Sequence, residues 1–363
     1  MRTILVDVGK ALYLFGGLMG LAAILTWLER KQSALMQDRV GANRARIFGL
    51  RWLGLPHIIT DAVKLLTKED FVPAGVPAWL HALAPWVTLT VACLPAAAIP
   101  FGSVLPWGGQ TIELQLMDMQ VGLVYALAIA SMAIYGVILA GWVTRNKWAV
   151  LGSLRAAAQL IGFGVVLGIS LIGPVLLYGT LNLQEMVRWQ DTTVLGGWLP
   201  RWGLFFQPLA FLVFLTVGIA ETKRIPFDLP EGESEIIGYF LEYSGMKFGA
   251  FFLADFVETV VVAMLTVTVF LGGWSVPYLS ADQGGFVWPW GAHTAVPPVG
   301  IALLQMVAFW AKVAAVCWFL LLIRWTLPRF RIDQAVRLGW QYLLPLSVVN
   351  AFGTAAVLLW LGW

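Results

Sequence analysis

The residues best placed to do chemistry are acids. The run Glu221-Thr222-Lys223-Arg224-Ile225-Pro226-Phe227-Asp228-Leu229-Pro230-Glu231-Gly232-Glu233-Ser234-Glu235, followed by Glu242 and Tyr243, sets six carboxylates against two cations. Clustered, partly buried carboxylates raise one another's pKa by like-charge repulsion and desolvation, and such groups hold and pass protons near neutral pH. A solvated acidic loop is the simpler reading. Against it, Ile225, Phe227 and Leu229 and the rigid Pro226 and Pro230 are interleaved with the charges, a pattern suited to packing. A second group lies inside apolar runs. Asp255 and Glu258 are spaced i and i+3, on one face of a helix, and Lys312 is expected at comparable depth in the next run. A charge at the bilayer centre costs about 2.5 to 3.5 kcal/mol, so these three should face a bundle interior and either pair or serve a proton pathway. A structural ion pair and a proton relay both satisfy that demand.

The stretch from Pro56 to Asp70 is too short and too charged to span a membrane. Ile58, Ile59, Ala62, Val63 and Leu66 recur at helical spacing, with Asp61, Lys64 and Lys68 on another face, as in a helix lying in the interface plane. It reads either as a surface anchor or as one wall of an entrance for a lipophilic substrate whose polar head meets the charged side chains. Two cysteines, Cys93 and Cys317, and three scattered histidines, His57, His81 and His293, are too few for an iron–sulfur cluster, a zinc site or a haem of this chain's own. No metal site and no nucleophilic catalytic residue is predicted, and any redox cofactor would belong to a partner.

The elements that position these groups follow from composition. Of 363 residues, 60% are hydrophobic and 12% charged, which excludes a soluble globular enzyme. Stretches at 8 to 29, 82 to 101, 120 to 143, 155 to 179, 204 to 221, 247 to 271, 299 to 325 and 340 to 362 approach the length needed to span a bilayer. The expected fold is therefore all-α: a polytopic membrane protein of about eight transmembrane helices plus a cytoplasmic-side amphipathic helix, forming one integral membrane domain over 1 to 363. The first span has no small-residue cleavage site and reads as retained. Of the 23 Lys and Arg residues, 18 fall in the loops near 30 to 71, 143 to 156, 221 to 247 and 324 to 340. By the positive-inside rule these loops face the cytoplasm and both termini face the periplasm. The basic residues follow membrane sidedness, so nucleic-acid binding has no support.

Several runs resemble one family closely: Leu28-Glu29-Arg30-Lys31, Gln37-Asp38-Arg39-Val40-Gly41-Ala42-Asn43-Arg44, Leu151-Gly152-Ser153-Leu154-Arg155-Ala156-Ala157-Ala158-Gln159, Ala220 to Glu231, Glu242-Tyr243-Ser244-Gly245-Met246 and Leu327-Pro328-Arg329-Phe330-Arg331-Ile332-Asp333-Gln334. They are similar to the H subunit of bacterial NADH:quinone oxidoreductase, respiratory complex I, across nearly the whole chain. The resemblance implies a membrane subunit of a proton-pumping translocase in the bacterial inner membrane, not catalytic alone. It would form part of a quinone chamber and couple quinone reduction to proton movement. Its substrate would be ubiquinone or menaquinone. FMN and iron–sulfur clusters would reside in partner subunits, and the partners would be the iron–sulfur and quinone-reducing peripheral subunits and adjacent small membrane subunits.

Carried over by position, Glu29, Arg30, Arg39, His57, Asp61, Lys64, Phe227 and Asp228 would line or shape the quinone chamber. Glu221, Glu231, Glu233, Glu235, Glu242, Asp255, Glu258 and Lys312 would form the proton path, with Asp228 at its junction with the chamber. The chain departs from the family pattern at Gly164, where a glutamate is usual, at Glu258, where the family often has a neutral residue, and at His57, where glutamine is usual; Asp255 keeps a carboxylate where glutamate is usual. The alternative from the same superfamily is a quinone-independent anchor subunit of an energy-converting hydrogenase. An autonomous ion carrier and a purely structural scaffold are the rivals from other classes.

Overall fold

A computed structural model describes residues 2–46, 49, 51–107, 110–194, 198–232, 236, 238–280, 284–288, 290 and 292–362. The helices are α1 (Arg2–Met36), α2 (Pro56–Thr67), α3 (Ala78–Cys93), α4 (Gly122–Ser131), α5 (Ala133–Val143), α6 (Lys147–Ser170) and α7 (Ile172–Tyr178). They continue as α8 (Leu183–Gln190), α9 (Gly203–Phe206), α10 (Pro208–Glu221), α11 (Gly245–Phe270), α12 (Pro298–Thr326), α13 (Ile332–Arg337) and α14 (Leu344–Leu361). Among the described residues, seven helical stretches are long and apolar enough to cross a bilayer, with α4 and α5, α6 and α7, and α13 to α14 each joining into one. This is the polytopic, mostly helical architecture expected from the apolar runs.

The fifth expected span, 204 to 221, takes a different form. It is split into α9 and α10 at Gln207, and α10 is only 14 residues, about 21 Å long. Proline at the first position of α10 explains where it starts. Its other end is explained by depth. Phe211 and Phe270 rings meet at 5.5 Å, so α10 starts beside the end of α11, and Lys223, just past α10, reaches Asp255. Asp255 lies ten residues into α11, about 15 Å from that helix's start. The acidic segment therefore fills the depth that the short helix leaves, as irregular backbone can do when protein surrounds it.

Among the described residues, three small antiparallel sheets, not foreseen from the sequence, occupy the opposite connections: β1 (Val104–Trp107) with β2 (Gln110–Glu113), β3 (Thr193–Val194) with β4 (Leu199–Pro200), and β5 (Leu279–Ser280), β6 (Gly285–Val287) and β7 (His293–Ala295) in that order. In the last, Leu279 and Thr294 both pair with Phe286. The buried apolar cluster runs from Leu14 of α1 through Val260 and Met264 of α11 to Phe309 of α12. Glycine permits one close helix contact: at Gly136 a Cβ would strike the Thr88 side chain and lie 2.9 Å from its backbone nitrogen, which draws α5 onto α3.

Candidate functional site

Two features of the site can be built from these elements: a cleft at one side and a line of charges leading inward from it. The cleft, about 380 Å³, lies between α1, α2 and α11, with Met19, Ala23, Ile58, Leu65, Phe248 and Phe252 among its walls. Arg30, Asp61 and Lys64 provide its polar lining, and Arg30 holds Asp61 at 2.6 Å. The expected amphipathic helix exists as α2. Ile58, Asp61 and Leu65 are half-buried, whereas Ile59, Val63 and Leu66 are exposed. Residues at spacings of three and four turn one stripe inward, so the charged Asp61 belongs to the cleft and much of the predicted apolar face looks outward.

From the cleft the charges step inward through neighbouring residues. Glu29, next to Arg30, accepts from Arg324 of α12 at 2.8 Å and from Arg224 at 3.3 Å. The Arg224 guanidinium also sits 4.0 Å from the centre of the Phe256 ring. Next to Arg224, the Lys223 ammonium is 3.0 Å from Asp255 Oδ1 and 3.1 Å from Glu258 Oε2, with its side chain 1% exposed. Burial favours the neutral amine, but the Asp255 and Glu258 carboxylates outweigh it and hold the Lys223 pKa well above that of an ordinary lysine. Beyond Glu258, a cavity of about 30 Å³ is lined by Glu258 and Glu221 together with Leu160, Leu167 and Phe214, large enough for about one water molecule. Gly164 lies on the same face of α6 as Leu160 and Leu167, and a Cβ on it would meet nothing within 4 Å.

The acidic segment is clamped from three directions. Gln159 of α6 donates from Nε2 to the Ala220 carbonyl at 2.6 Å and the Phe227 carbonyl at 2.8 Å. Arg329 donates to Asp228 Oδ2 at 2.6 Å, the Phe330 amide donates to the Pro226 carbonyl, and the Phe227 ring packs 5.3 Å from both Phe163 and Phe330. Gly152 lets the loop backbone close on α6, with a Cβ there 3.1 Å from the Tyr239 nitrogen. Burial pushes the Asp228 pKa up, against the lowering field of Arg329 and Arg324. Glu231 is pushed up to about 8, first by burial and then by the Asp255 and Asp228 charges, with Lys223 and Arg324 opposing.

The remaining expected site residues are placed as follows. Glu242 Oε1 accepts from Asn146 Nδ2 at 2.8 Å, and its carbonyl meets Nε2 of the buried His81, whose ring stacks on Tyr243 at 4.1 Å. Phe227 is buried in packing rather than in the cleft wall. His57 accepts from the Ala45 amide at 3.3 Å and so braces the segment before α2, while the exposed Arg39 bonds Gln37; neither is among the cleft walls. Glu233 and Glu235 lie outside the described residues. Lys312 is not at the depth of the two carboxylates. Its ammonium donates to the carbonyls of Leu271, Gly273 and Ser275 at 2.8, 3.0 and 2.7 Å, and Leu271 is about 24 Å along α11 from Asp255. The chain after α11 folds back toward α12 and supplies these oxygens, which sequence depth alone does not show. Lys223, Arg224, Arg324, Arg329 and Gln159 are the contributors that sequence reasoning did not single out; a lone amide within an apolar helix was the available signal for Gln159.

The chain has known relatives. The family model described as NADH dehydrogenase matches residues 9–355. The first of the H subunits of NADH-quinone oxidoreductase in Geobacter metallireducens is 41% identical over 357 residues, covering 98% of this chain and 97% of the relative. The H subunit of the Thermomicrobium roseum enzyme is 43% identical, covering 94% and 93%. The chain belongs to the family of NADH-quinone oxidoreductase H subunits. It is thus a multi-pass membrane subunit of respiratory complex I, a translocase, and other subunits of that complex are its partners. Within this family assignment, the cleft and the charge line are the features that call for a function.

Proposed function

We propose that this subunit admits a quinone through the cleft between α1, α2 and α11 and couples its reduction, carried out in partner subunits, to proton movement along the buried carboxylates. The observation that carries the proposal is continuity. Arg30 and Asp61 line the cleft; Glu29, the chain neighbour of Arg30, binds Arg224; and Lys223, the chain neighbour of Arg224, binds Asp255 and Glu258, the latter on the inner cavity. The apolar walls suit an isoprenoid tail and the Arg30–Asp61 pair suits a polar head group.

Further support comes from buried polar atoms near this line that have no hydrogen-bond partner among the described residues, such as Glu221 Oε2, Asp228 Oδ1 and Tyr239 Oη. Buried polar groups of this kind are ordinarily satisfied by ordered water, and water between carboxylates is what proton transfer needs. Glu221, Glu231, Glu242, Asp255 and Glu258 are the proposed proton carriers, and the loops bearing the acidic segment face the cytoplasm, with both termini periplasmic. Glu233 and Glu235 are proposed with them on sequence alone. Lys312 is proposed to act on the fold rather than in the line. The FMN and iron–sulfur chemistry would lie in the partners.

The test of the quinone entrance is Ala62→Trp in the assembled complex. Ala62 is an exposed cleft residue, so a larger side chain there fills the opening with little cost to the fold. A rise of about tenfold or more in KM for a long-tailed quinone, with NADH:ferricyanide reduction unchanged, is expected. Unaltered KM for that quinone would refute the entrance.

A further inference from the structure

Lys223 occupies an unusual position. Its φ is +54°, a left-handed conformation uncommon outside glycine and asparagine, and it follows directly on the last turns of α10. Helices commonly end on a residue in this conformation, and the Lys223 amide closes α10 by donating to the Ala220 carbonyl at 3.2 Å. The surroundings of its side chain are ionic. The ammonium lies between Asp255 Oδ1 at 3.0 Å and both oxygens of Glu258, at 3.1 and 3.3 Å. Asp255 and Glu258 are one turn apart on α11, and Glu258 opens onto the inner cavity shared with Glu221. Burial leaves the ammonium no route to solvent.

Among the described residues, the charged and titratable groups that act on Lys223 come from three places. On α11 they are Asp255 and Glu258; in the acidic segment, Tyr239 and Glu231; beside it in the chain, Glu221 and Arg224. Arg224 is occupied by Glu29 of α1, which also holds Arg324 of α12. One cation thus serves two carboxylates, leaving a net charge of −1 on the three groups when both acids are ionised. A single added proton makes the trio neutral, wherever that proton sits.

We propose that Lys223 is a shared counter-ion that controls proton passage between the acidic segment and the inner cavity, pairing with whichever of Asp255 and Glu258 is ionised while the other holds the proton. When a proton arrives on Asp255, the ammonium is left to Glu258. When the proton has passed to Glu258, the ammonium returns to Asp255, and release from Glu258 into the cavity restores the starting charge. Lysine suits the task, because its compact charge and rotating donors can shift between two acceptors without a fixed fork geometry. The proposal rests on the proton-path reading above and assigns it a positioning residue.

The test uses the assembled complex in proteoliposomes, with the ratio of protons pumped to electrons transferred followed against pH. Removing the cation in Lys223→Met takes away what stabilises the ionised acids at about 3 Å. The acid-side fall in pumping should therefore move upward by about two pH units. Lys223→Arg, which keeps the charge, should leave that limb in place; Glu258→Gln added to Lys223→Met removes a proton carrier as well as a charge, so that double variant is read for assembly alone. A Lys223→Met profile that is unmoved, or lowered by one factor at every pH, would overturn the counter-ion role. Should Lys223→Met fail to assemble, the double variant decides: assembly restored supports the shared charge, and assembly still lost overturns it. Asp255→Asn separates the two levels. Undiminished pumping in that variant refutes the proton path itself, whereas impaired pumping with an unmoved Lys223→Met profile refutes only the role of Lys223.

Discussion

Replacing Lys312 by methionine should destabilise the subunit without uncoupling it. The side chain makes three hydrogen bonds, of 2.7 to 3.0 Å, to the carbonyls of Leu271, Gly273 and Ser275 at the end of α11. The position is favourable twice over: Leu271 caps α11 and Gly273 and Ser275 follow in the turn beyond it, so the ammonium satisfies carbonyls outside the helix ladder, and a cation there opposes the negative end of the helix dipole. Hydrogen bonds to a charged group contribute about 1.5 to 3 kcal/mol each with desolvation already counted, and bonds that share one ammonium do not add in full. A net loss of about 2 to 4 kcal/mol is therefore expected, and at about 1.4 kcal/mol per factor of ten the lower figure already corresponds to about 30-fold faster thermal inactivation if the contact is absent from the unfolding transition state. The assay is the half-life of quinone reductase activity of the purified complex at elevated temperature, with the proton-to-electron ratio of freshly reconstituted enzyme measured beside it. A normal half-life together with a reduced ratio would refute the reasoning and return Lys312 to the proton path.

Two other outcomes follow from the geometry. Glu231 has its carboxyl pKa pushed up to about 8 from about 4.5, so between those values the folded chain binds a proton that the unfolded chain does not. Its contribution to stability should fall as pH rises through that window, and thermal inactivation of Glu231→Gln complex should show a flatter pH dependence than the parent. Gly136→Ala would push a methyl into Thr88 where α5 meets α3. Overpacking of this kind costs about 1 to 3 kcal/mol, to be read as a lower yield of assembled complex on native gels, with normal yield counting against the close contact.

What the sequence makes legible is whatever depends on local composition. Seven long apolar helices and the amphipathic α2 follow from run length and periodicity, because burying or exposing a stretch to lipid is decided residue by residue. Pairing is not local. That Lys223 meets Asp255 and Glu258, 32 and 35 residues on, depends on α10 stopping short and on the acidic segment dipping inward. Pro208 marks where α10 begins, but nothing in the composition marks how deep its end lies. The error at Lys312 has the same origin: counting residues along α12 gives a depth only if its neighbours are straight crossings, and the carbonyls it binds come from a segment that folds back. Which stripe of α2 turns inward is not local either: contacts with α1 and α11 decide it, and they bring Asp61 to the cleft.

The central claim, that buried carboxylates carry protons released or demanded by quinone reduction, is tested most directly by combining Glu231→Gln with Asp255→Asn and measuring NADH-driven proton pumping and quinone reduction in proteoliposomes. Loss of pumping, with NADH:ferricyanide activity intact and quinone reduction slowed or uncoupled, is the expected result. Pumping and quinone reduction both equal to the parent enzyme would contradict it.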